Sequence, residues 1–345
     1  MATKGLRVLA FARLITDINK EKISHDSVNS SLEFIGLQGM IDPPREEAIR
    51  SIVACKTAGI QIKMITGDHA ITARAIAQKM GLYQHSNGAK EAVTVTGKEL
   101  EALSDNELIQ TAGKTSVFAR VAPEQKLRIV EALQSKGEVV AMTGDGVNDA
   151  PAVRKADIGI AMGITGTEVA KEAADMVLAD DNFASIEAAV EEGRGVLDNI
   201  IKFLGFILAT NFGEGLVIIV AVLIGSTLPI LPVQALWINM TAAIFLGLTL
   251  AFEPREPGLM NKPPRSPSLP ILNGELIFRI FLVGFMLLGG SFGLFKLALY
   301  NGASLDEART IAVNVFAVGE SFYLLNSRSL RLSMFKLGVF SNMWI

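Results

Sequence analysis

The sequence predicts an α/β doubly wound parallel sheet followed by an α-helical transmembrane bundle. Two observations carry this. Strand and helix signals alternate from residue 60 to residue 180. From Phe203 onward the chain turns to long apolar segments, whereas residues 1–195 have mixed charge. Half of the 345 residues are hydrophobic and the mean hydropathy is +0.39, high for a purely soluble protein.

Taken in order, the elements begin with a strand-like Leu6–Phe11 in place of a signal peptide. Gln61–Ile65 reads as a strand, Thr66-Gly67-Asp68 as a turn and Ala73–Met80 as a helix. Ser116–Ala119 is the next strand, and Pro123 opens a helix continued by Glu124–Ser135. Val139–Met142 is short, apolar and partly β-branched, as a buried parallel strand should be. Asp157–Met162 and Met176–Leu178 complete the set. Such alternation predicts a parallel sheet with its site at the strands' carboxyl ends.

Four apolar segments follow: Phe203–Gly225, Val233–Phe252, Leu276–Tyr300 and, weakest, Ala308–Leu325 with Asn314 and Glu320 inside it. A spanning helix needs about 20 mostly apolar residues. Arg255, Lys262 and Arg265 follow the second segment, and Arg328, Arg331 and Lys336 the fourth, while the other two connections carry no Lys or Arg. The positive-inside rule places the charged loops, residues 1–195 and the C-terminal tail on the cytoplasmic side of a multi-pass membrane protein.

Composition excludes several classes. A net charge of −3 gives no support for nucleic-acid binding. The single cysteine, Cys55, excludes an internal disulfide and a Cys-x-x-Cys metal site. His25, His69 and His85 are scattered without ligand spacing.

The most informative stretch is Thr143-Gly-Asp-Gly-Val-Asn-Asp-Ala-Pro151. It sets Asp145, Asn148 and Asp149 on a turn made flexible by Gly144 and Gly146, just past a buried strand. Acidic groups there can hold Mg²⁺ beside a phosphate. Thr66 and the Gly67 amide can hydrogen-bond phosphate oxygens, and Lys126, just inside a helix start, can neutralise them. Singly, these are an ordinary turn, a solvated lysine and a helix cap; in order, each in its strand–loop setting, they read as one phosphate site. Among the apolar segments, Asn211 and Glu214 stand three apart and share a helix face. Asn239, Thr241 and Glu320 are the other polar residues of interest. A mid-membrane carboxylate costs about 3 kcal/mol on insertion scales and often marks an ion path. Interhelical hydrogen bonding is the plainer reading, preferred for Asn239 or Thr241 alone.

The nine-residue string closely resembles the hinge motif of P-type cation-transporting ATPases. Thr66-Gly67, Lys126 and Asp145 also match three of the four motifs of the haloacid-dehalogenase-like superfamily, the one with the aspartate nucleophile being absent. Gly39-Met-Ile-Asp-Pro-Pro-Arg45 resembles the hinge strand at which the nucleotide-binding domain rejoins the phosphorylation domain. Met64-Ile-Thr-Gly-Asp68 and Phe118-Ala-Arg-Val-Ala-Pro-Glu-Gln-Lys126 resemble further family blocks. Gly193–Lys202 resembles the stalk entering the fifth transmembrane helix, and Glu253-Pro-Arg-Glu-Pro-Gly-Leu-Met-Asn-Lys-Pro-Pro-Arg265 the loop between helices six and seven in the calcium and sodium/potassium pump group. The resemblance divides the chain into residues 1–38 (tail of the nucleotide-binding domain), 39–192 (phosphorylation domain) and 193–345 (stalk and helices five to eight). Ser341-Asn-Met-Trp-Ile345 would start a ninth helix.

The resemblance implies ATP and Mg²⁺ as cofactors, a transported cation and a lipid bilayer as partners, and a plasma or inner membrane location. It assigns Thr66, Gly67, Asp68, Lys126, Asn148 and Asp149 to the catalytic site, Arg120 with Thr66, Gly67 and Lys126 to the nucleotide phosphates, and Asp145 and then Asp149 to Mg²⁺. It assigns Asn211, Glu214, Asn239 and Glu320 to the cation. A carboxylate would attack the γ-phosphate of ATP to give an aspartyl-phosphate. The sequence contains neither Asp-Lys-Thr-Gly-Thr nor Thr-Gly-Glu, so the expectation is a C-terminal fragment, inactive by itself, of a longer pump. Ala242 and Ala243 stand where calcium pumps carry Thr-Asp, which leaves one calcium, sodium, potassium or protons open as cargo, while the lack of membrane cysteine disfavours soft metals. Two other classes stand beside it: a membrane-anchored phosphatase, which needs an Asp-x-Asp that Asp42-Pro43-Pro44 does not supply, and a non-catalytic remnant or regulator.

Overall fold

The computed structural model describes residues 1, 5–15, 32–41, 43–83, 93–338 and 341–344. The chain divides into two compact units: Met1–Ala189 with Met260–Pro263, and Val190–Leu259 with Pro264–Ile345. Asp42, His25, His85 and Ile345 lie outside the described residues.

The first unit opens with an antiparallel ribbon of β1 (Arg7–Arg13) and β2 (Glu33–Met40), its register shifted between Phe11 and Ala12. Helix α1 (Glu46–Thr57) leads to β3 (Met64–Thr66) and α2 (Ala70–Lys79). Then come β4 (Val93–Thr96), α3 (Gly97–Ala102), α4 (Asp105–Lys114), β5 (Thr115–Ala119) and α5 (Pro123–Ser135). The unit continues through β6 (Ala141–Gly144), α6 (Ala150–Lys155), β7 (Ile158–Met162), α7 (Glu168–Ala173) and β8 (Met176–Leu178). All pairing after the ribbon is parallel, but it forms two three-stranded sheets, β3-β5-β4 and β6-β7-β8, where one sheet was expected.

Local chemistry explains these elements. β5 contributes Val117, Phe118 and Ala119 to the interior, all at 0% exposure, as a central parallel strand must. β4 carries two threonines in four residues and so lacks the apolar run that marks a buried strand; its end is fixed by a capping box in which Thr96 and Glu99 satisfy each other's backbone N–H groups. Gly97 follows because a side chain there would collide with the Arg120 carbonyl oxygen. β6 starts two residues later than the apolar run predicts: Val139 is exposed, and the ladder with β7 runs from Ala141 to Gly144. His69 is the N-cap of α2, its Nδ1 accepting from the Ile71 N–H at 3.3 Å, a purely structural use.

Helix α8 (Phe183–Leu223) contains the boundary between the units. Within the second unit the next apolar segment is not one α-helix. It is α9 (Pro232–Trp237), a π-helical stretch (Ile238–Ala243), α10 (Ile244–Thr249) and a closing 3₁₀ turn (Leu250–Phe252). Helices α11 (Gly274–Tyr300) and α12 (Leu305–Ser327) pack together through Leu287, Phe295, Ala308, Ala312 and Phe316, with Val217 of α8 and Ile238 in the same cluster. Among the described residues three helical segments are long and apolar enough to cross a membrane: Phe183–Leu223, Pro232–Phe252 and Gly274–Tyr300. The fourth expected span is the helix α12, but Asp306, Glu307, Arg309 and Glu320 lower its apolar character and it does not join those three. A short helix α13 (Met334–Leu337) follows, and Ser341–Trp344 form turns and bends where the start of a ninth helix was expected.

Candidate phosphate and cation sites

The first site lies at the carboxyl ends of β3, β5 and β6. The turn after β3 is folded on itself: the Asp68 N–H donates to Thr66 Oγ1 at 3.1 Å. Two backbone bonds join this turn to the one after β5, from Arg120 N to the Asp68 carbonyl (3.1 Å) and from Val121 N to the Thr66 carbonyl (3.2 Å). Arg120 holds this geometry with φ of 52°, a left-handed backbone rare for a side chain of its size. Val121 leads directly into α5, which presents Lys126.

Lys126 then reaches the loop after β6 and forms a partly buried ion pair with Asp149. Asp149 occupies the N-cap of α6 but its side chain caps nothing; the lysine takes it. Gly144 permits the approach, since a Cβ there would lie 2.5 Å from that of Asp149. Asp145 and Asn148 are exposed. No described residue donates to the Asp145 carboxylate, while its backbone carbonyl accepts from Thr167 N at 2.8 Å. Thr66, Asp68 and Arg120 therefore form one hydrogen-bonded set and Lys126 with Asp149 another, with α5 connecting the two along the chain, and Asp145 is exposed in the same loop as Asp149. Gly67 has open space around it, so internal packing does not account for its lack of a side chain.

The second site lies among helices of the second unit. Glu214 on α8 is buried and accepts from Asn239 Nδ2 at 2.5 Å; Asn239, on the π-helical stretch, also donates to the Ala235 carbonyl at 3.2 Å. Glu320 on α12 has 0% exposure and lies within electrostatic range of Glu214. Glu214 Oε1 and both carboxylate oxygens of Glu320 have no hydrogen-bond partner among the described residues. Two predicted participants stand apart. Asn211 is exposed, because three residues along a helix leave a rotation of about 60°. Thr241 is exposed too and returns its hydroxyl to the Trp237 carbonyl at 2.5 Å.

Comparison with known proteins now decides the family. A model described as cation transporting ATPase, C-terminus, matches residues 227–345, and two models described as haloacid dehalogenase-like hydrolase match 7–157 and 126–190. A probable cation-transporting ATPase F of Mycobacterium tuberculosis is 56% identical over 345 residues, covering 100% of this chain and 38% of that protein. A cation-transporting ATPase of Synechocystis is 50% identical over 326 residues, 94% of this chain and 36% of that protein. A calcium-transporting ATPase of Bacillus subtilis is 40% identical over 346 residues, 100% of this chain and 38% of that protein. The chain belongs to the P-type cation-transporting ATPase family. It spans less than two fifths of the length of these relatives.

The fit of this P-type chain to the implied Mg²⁺ rests on Asp145. Mg²⁺ keeps several waters and takes one or two protein carboxylates plus phosphate oxygens. A free, exposed carboxylate at a strand's carboxyl end meets that need without a cluster of three ligating side chains, and none exists among the described residues. Asp149 is already committed to Lys126.

Sequence reasoning missed two groups of residues. Asp181, also left-handed at φ of 49°, accepts from Ile164 N (3.0 Å), Thr165 N (2.8 Å) and Thr165 Oγ1 (2.7 Å). These bonds hold its carboxyl down at about pKa 2, the Ile164 N–H contributing most. In the second unit Arg328 is buried against Glu253, with Nη2 to Oε1 at 2.8 Å and Nε to both oxygens at 3.0 and 3.2 Å. The available signal was the Asp180-Asp181-Asn182 turn in one case and an arginine closing an apolar helix in the other.

Proposed function

We propose that this chain is the phosphate-handling and cation-carrying part of an ATP-driven cation pump that passes through an aspartyl-phosphate. The observation that carries the reading is the pair of buried carboxylates, Glu214 and Glu320, which hold three unpartnered oxygens between them, the fourth oxygen being bonded by the Asn239 amide. Burying carboxylates without donors is costly, and a cation offsets that cost.

On the phosphate side, the Thr66 hydroxyl is free to donate to a phosphate oxygen because its own contact with Asp68 uses the oxygen as acceptor. The open surface at Gly67 lets a phosphate approach the backbone. Lys126 supplies positive charge, with Asp149 fixing its position. Asp145 would hold Mg²⁺, which when bound neutralises phosphate charge. Arg120 presents a guanidinium from the adjoining turn, and Asn148 stands exposed beside the same loop. No Asp-Lys-Thr-Gly-Thr occurs in these residues, so the phosphorylated aspartate would belong to the remainder of a longer protein.

The cation is calcium or a monovalent ion. Glu214, Glu320 and Asn239 offer hard oxygens, suited to such ions. Ala243 is buried but brings no oxygen. Relatives are named both cation-transporting and calcium-transporting ATPases. The test is cation-stimulated ATPase of the full-length protein with calcium, sodium, potassium and manganese. Glu214→Gln and Glu320→Gln should each raise the half-saturating cation concentration at least tenfold. Unchanged stimulation in both variants would remove Glu214 and Glu320 from the cation site, whereas an unmodified full-length protein that no cation stimulates would favour a membrane-anchored phosphatase or a non-catalytic remnant.

A further inference from the structure

Asp181 lies in the turn before α8, outside every group assigned above to phosphate, Mg²⁺ or cation. Its backbone is left-handed, a conformation rare for residues with a Cβ and held here by hydrogen bonds that the aspartate side chain accepts. If the turn merely needed φ above zero, glycine would serve without strain. Asp181 instead uses its carboxylate to grip the segment 163–167, through the two backbone N–H groups of Ile164 and Thr165 and the Thr165 hydroxyl.

That segment is pinned at its other end to the backbone of Asp145, whose side chain is the candidate metal carboxylate. Thr167 N donates to the Asp145 carbonyl at 2.8 Å, and Thr167 Oγ1 caps α7 by accepting from Ala170 N at 3.3 Å. Two glycines make the segment tight. A Cβ on Gly163 would lie 2.5 Å from the Leu178 carbonyl oxygen, and one on Gly166 would collide with the Met162 carbonyl oxygen. The segment therefore has little room to shift except by releasing one of its anchors.

On its other side the turn is tied to three further places. The Asp181 carbonyl accepts from Arg45 Nη1 at 3.2 Å, just ahead of α1. Asn182 Nδ2 donates to Glu47 at 2.8 Å while its Oδ1 accepts from Ala184 N at 3.0 Å, in the first turn of α8. Asp180 accepts from the Ser185 hydroxyl at 2.6 Å in that same turn. Hydrogen bonds and the short backbone between Thr165 and Thr167 thus link Asp145 to Asp181 and to the first turn of α8.

We infer that Asp181 is a positioning residue: it holds the segment 163–167 so that Asp145 keeps its orientation, and it sets the register of that segment against the first turn of α8. The inference rests on the reading of Asp145 as the Mg²⁺ carboxylate. Groups bonded directly to a metal ligand change metal affinity by about 10–100-fold when removed; Asp181 acts one step further out, through the segment 163–167, so the low end of that range applies. A tenfold loss of Mg²⁺ affinity is expected here.

The test uses two variants of the purified chain in detergent, read by amide hydrogen exchange with and without Mg²⁺. Asp181→Gly keeps the left-handed backbone at no steric cost and deletes the acceptor. Asp181→Asn keeps one acceptor oxygen. Asp181→Gly should speed exchange of residues 163–167 and also of 143–149, and should raise the Mg²⁺ concentration giving half-maximal protection of 143–149 about tenfold, with Asp181→Asn intermediate. Faster exchange confined to 163–167 would overturn the inference and leave Asp181 as a local brace. If Mg²⁺ protects nothing in the unmodified chain, the reading of Asp145 fails. Exchange at 143–149 without Mg²⁺ still decides the role of Asp181: acceleration in Asp181→Gly upholds it, and no change defeats it.

Discussion

Asn239 donates a 2.5 Å hydrogen bond to one oxygen of Glu214 and leaves the other oxygen without a partner. The amide thus satisfies half of a buried carboxylate and keeps the rest available. Asn239→Ala removes the only donor that Glu214 has among the described residues. The cost of an unsatisfied buried acceptor, about 1–3 kcal/mol, should appear as a lowered thermal midpoint in the absence of cation. Added calcium should restore more of the midpoint in the variant than in the parent if the cation sits on Glu214. Equal shifts in both proteins would remove Asn239 from the site.

The Lys126–Asp149 pair supports a second prediction. Its side chains are 19% and 11% exposed, so breaking it leaves a charge with little access to water. Lys126→Met should destabilise the first unit by less than about 3–5 kcal/mol, the cost of removing one partner of a fully buried pair, since solvent reaches part of this one. Adding Asp149→Leu to that variant should recover most of the loss, because an apolar pair of similar size replaces the ionic one. Neither variant should label from ATP in the full-length protein. Retained labelling in Lys126→Met would exclude the lysine from phosphate binding.

Much of this arrangement was legible in the residues, for reasons that also mark its limits. β5 and β7 were found because Ser-Val-Phe-Ala and Ile-Gly-Ile-Ala-Met are short apolar runs between turns, and buried parallel strands have that composition. β4 was missed because Val-Thr-Val-Thr lacks such a run and its burial comes from pairing with β5. Thr66, Lys126 and Asp145 could be picked out by residue type and by their strand–loop setting. The Lys126–Asp149 pair could not, since 23 residues separate its members and only the fold joins them. The same holds for Asp181 and Thr165. The second apolar segment was recognised by hydropathy, but hydropathy does not encode which carbonyl each N–H selects, so the π-helical stretch at Asn239 was invisible.

Lys63 yields a prediction on pH. Its ammonium donates to the carbonyls of Gly113 (3.2 Å) and Thr115 (2.8 Å), and burial, with Lys136 nearby, lowers its pKa from 10.5 to about 8. Folded Lys63 therefore releases its proton at lower pH than it does in the unfolded chain. Between pH 8 and 10.5 the unfolded chain binds the extra proton, so this group makes stability rise with pH across that window and adds no slope below it. Lys63→Met should remove that contribution. The difference in denaturation midpoint between parent and variant, followed from pH 7 to pH 10, should grow in the parent's favour above about pH 8. A constant difference would show that the lysine does not titrate there.

The last prediction concerns Arg328 and Glu253, which are 0% and 3% exposed and joined through three contacts of 2.8–3.2 Å. The pair also fastens neighbouring segments. Arg328 Nη1 donates to the Gly338 carbonyl at 3.0 Å and Nη2 to Ser341 Oγ at 2.5 Å. Asn342 Nδ2 donates to Glu253 at 2.8 Å and to the Thr249 carbonyl at 3.0 Å. Arg328→Met leaves a buried carboxylate whose remaining donor is weaker, and should cost about 3–5 kcal/mol. Glu253→Gln keeps a neutral acceptor for the guanidinium but strands its charge, so it should cost a similar amount. Arg328→Lys retains charge without the planar fork and should recover only part of the loss. Thermal midpoints in detergent rank the variants, and limited proteolysis shows whether Gly338, Ser341 and Asn342 have come loose. If Arg328→Lys matches the parent in both measurements, the bidentate geometry is irrelevant and charge alone holds these residues in place.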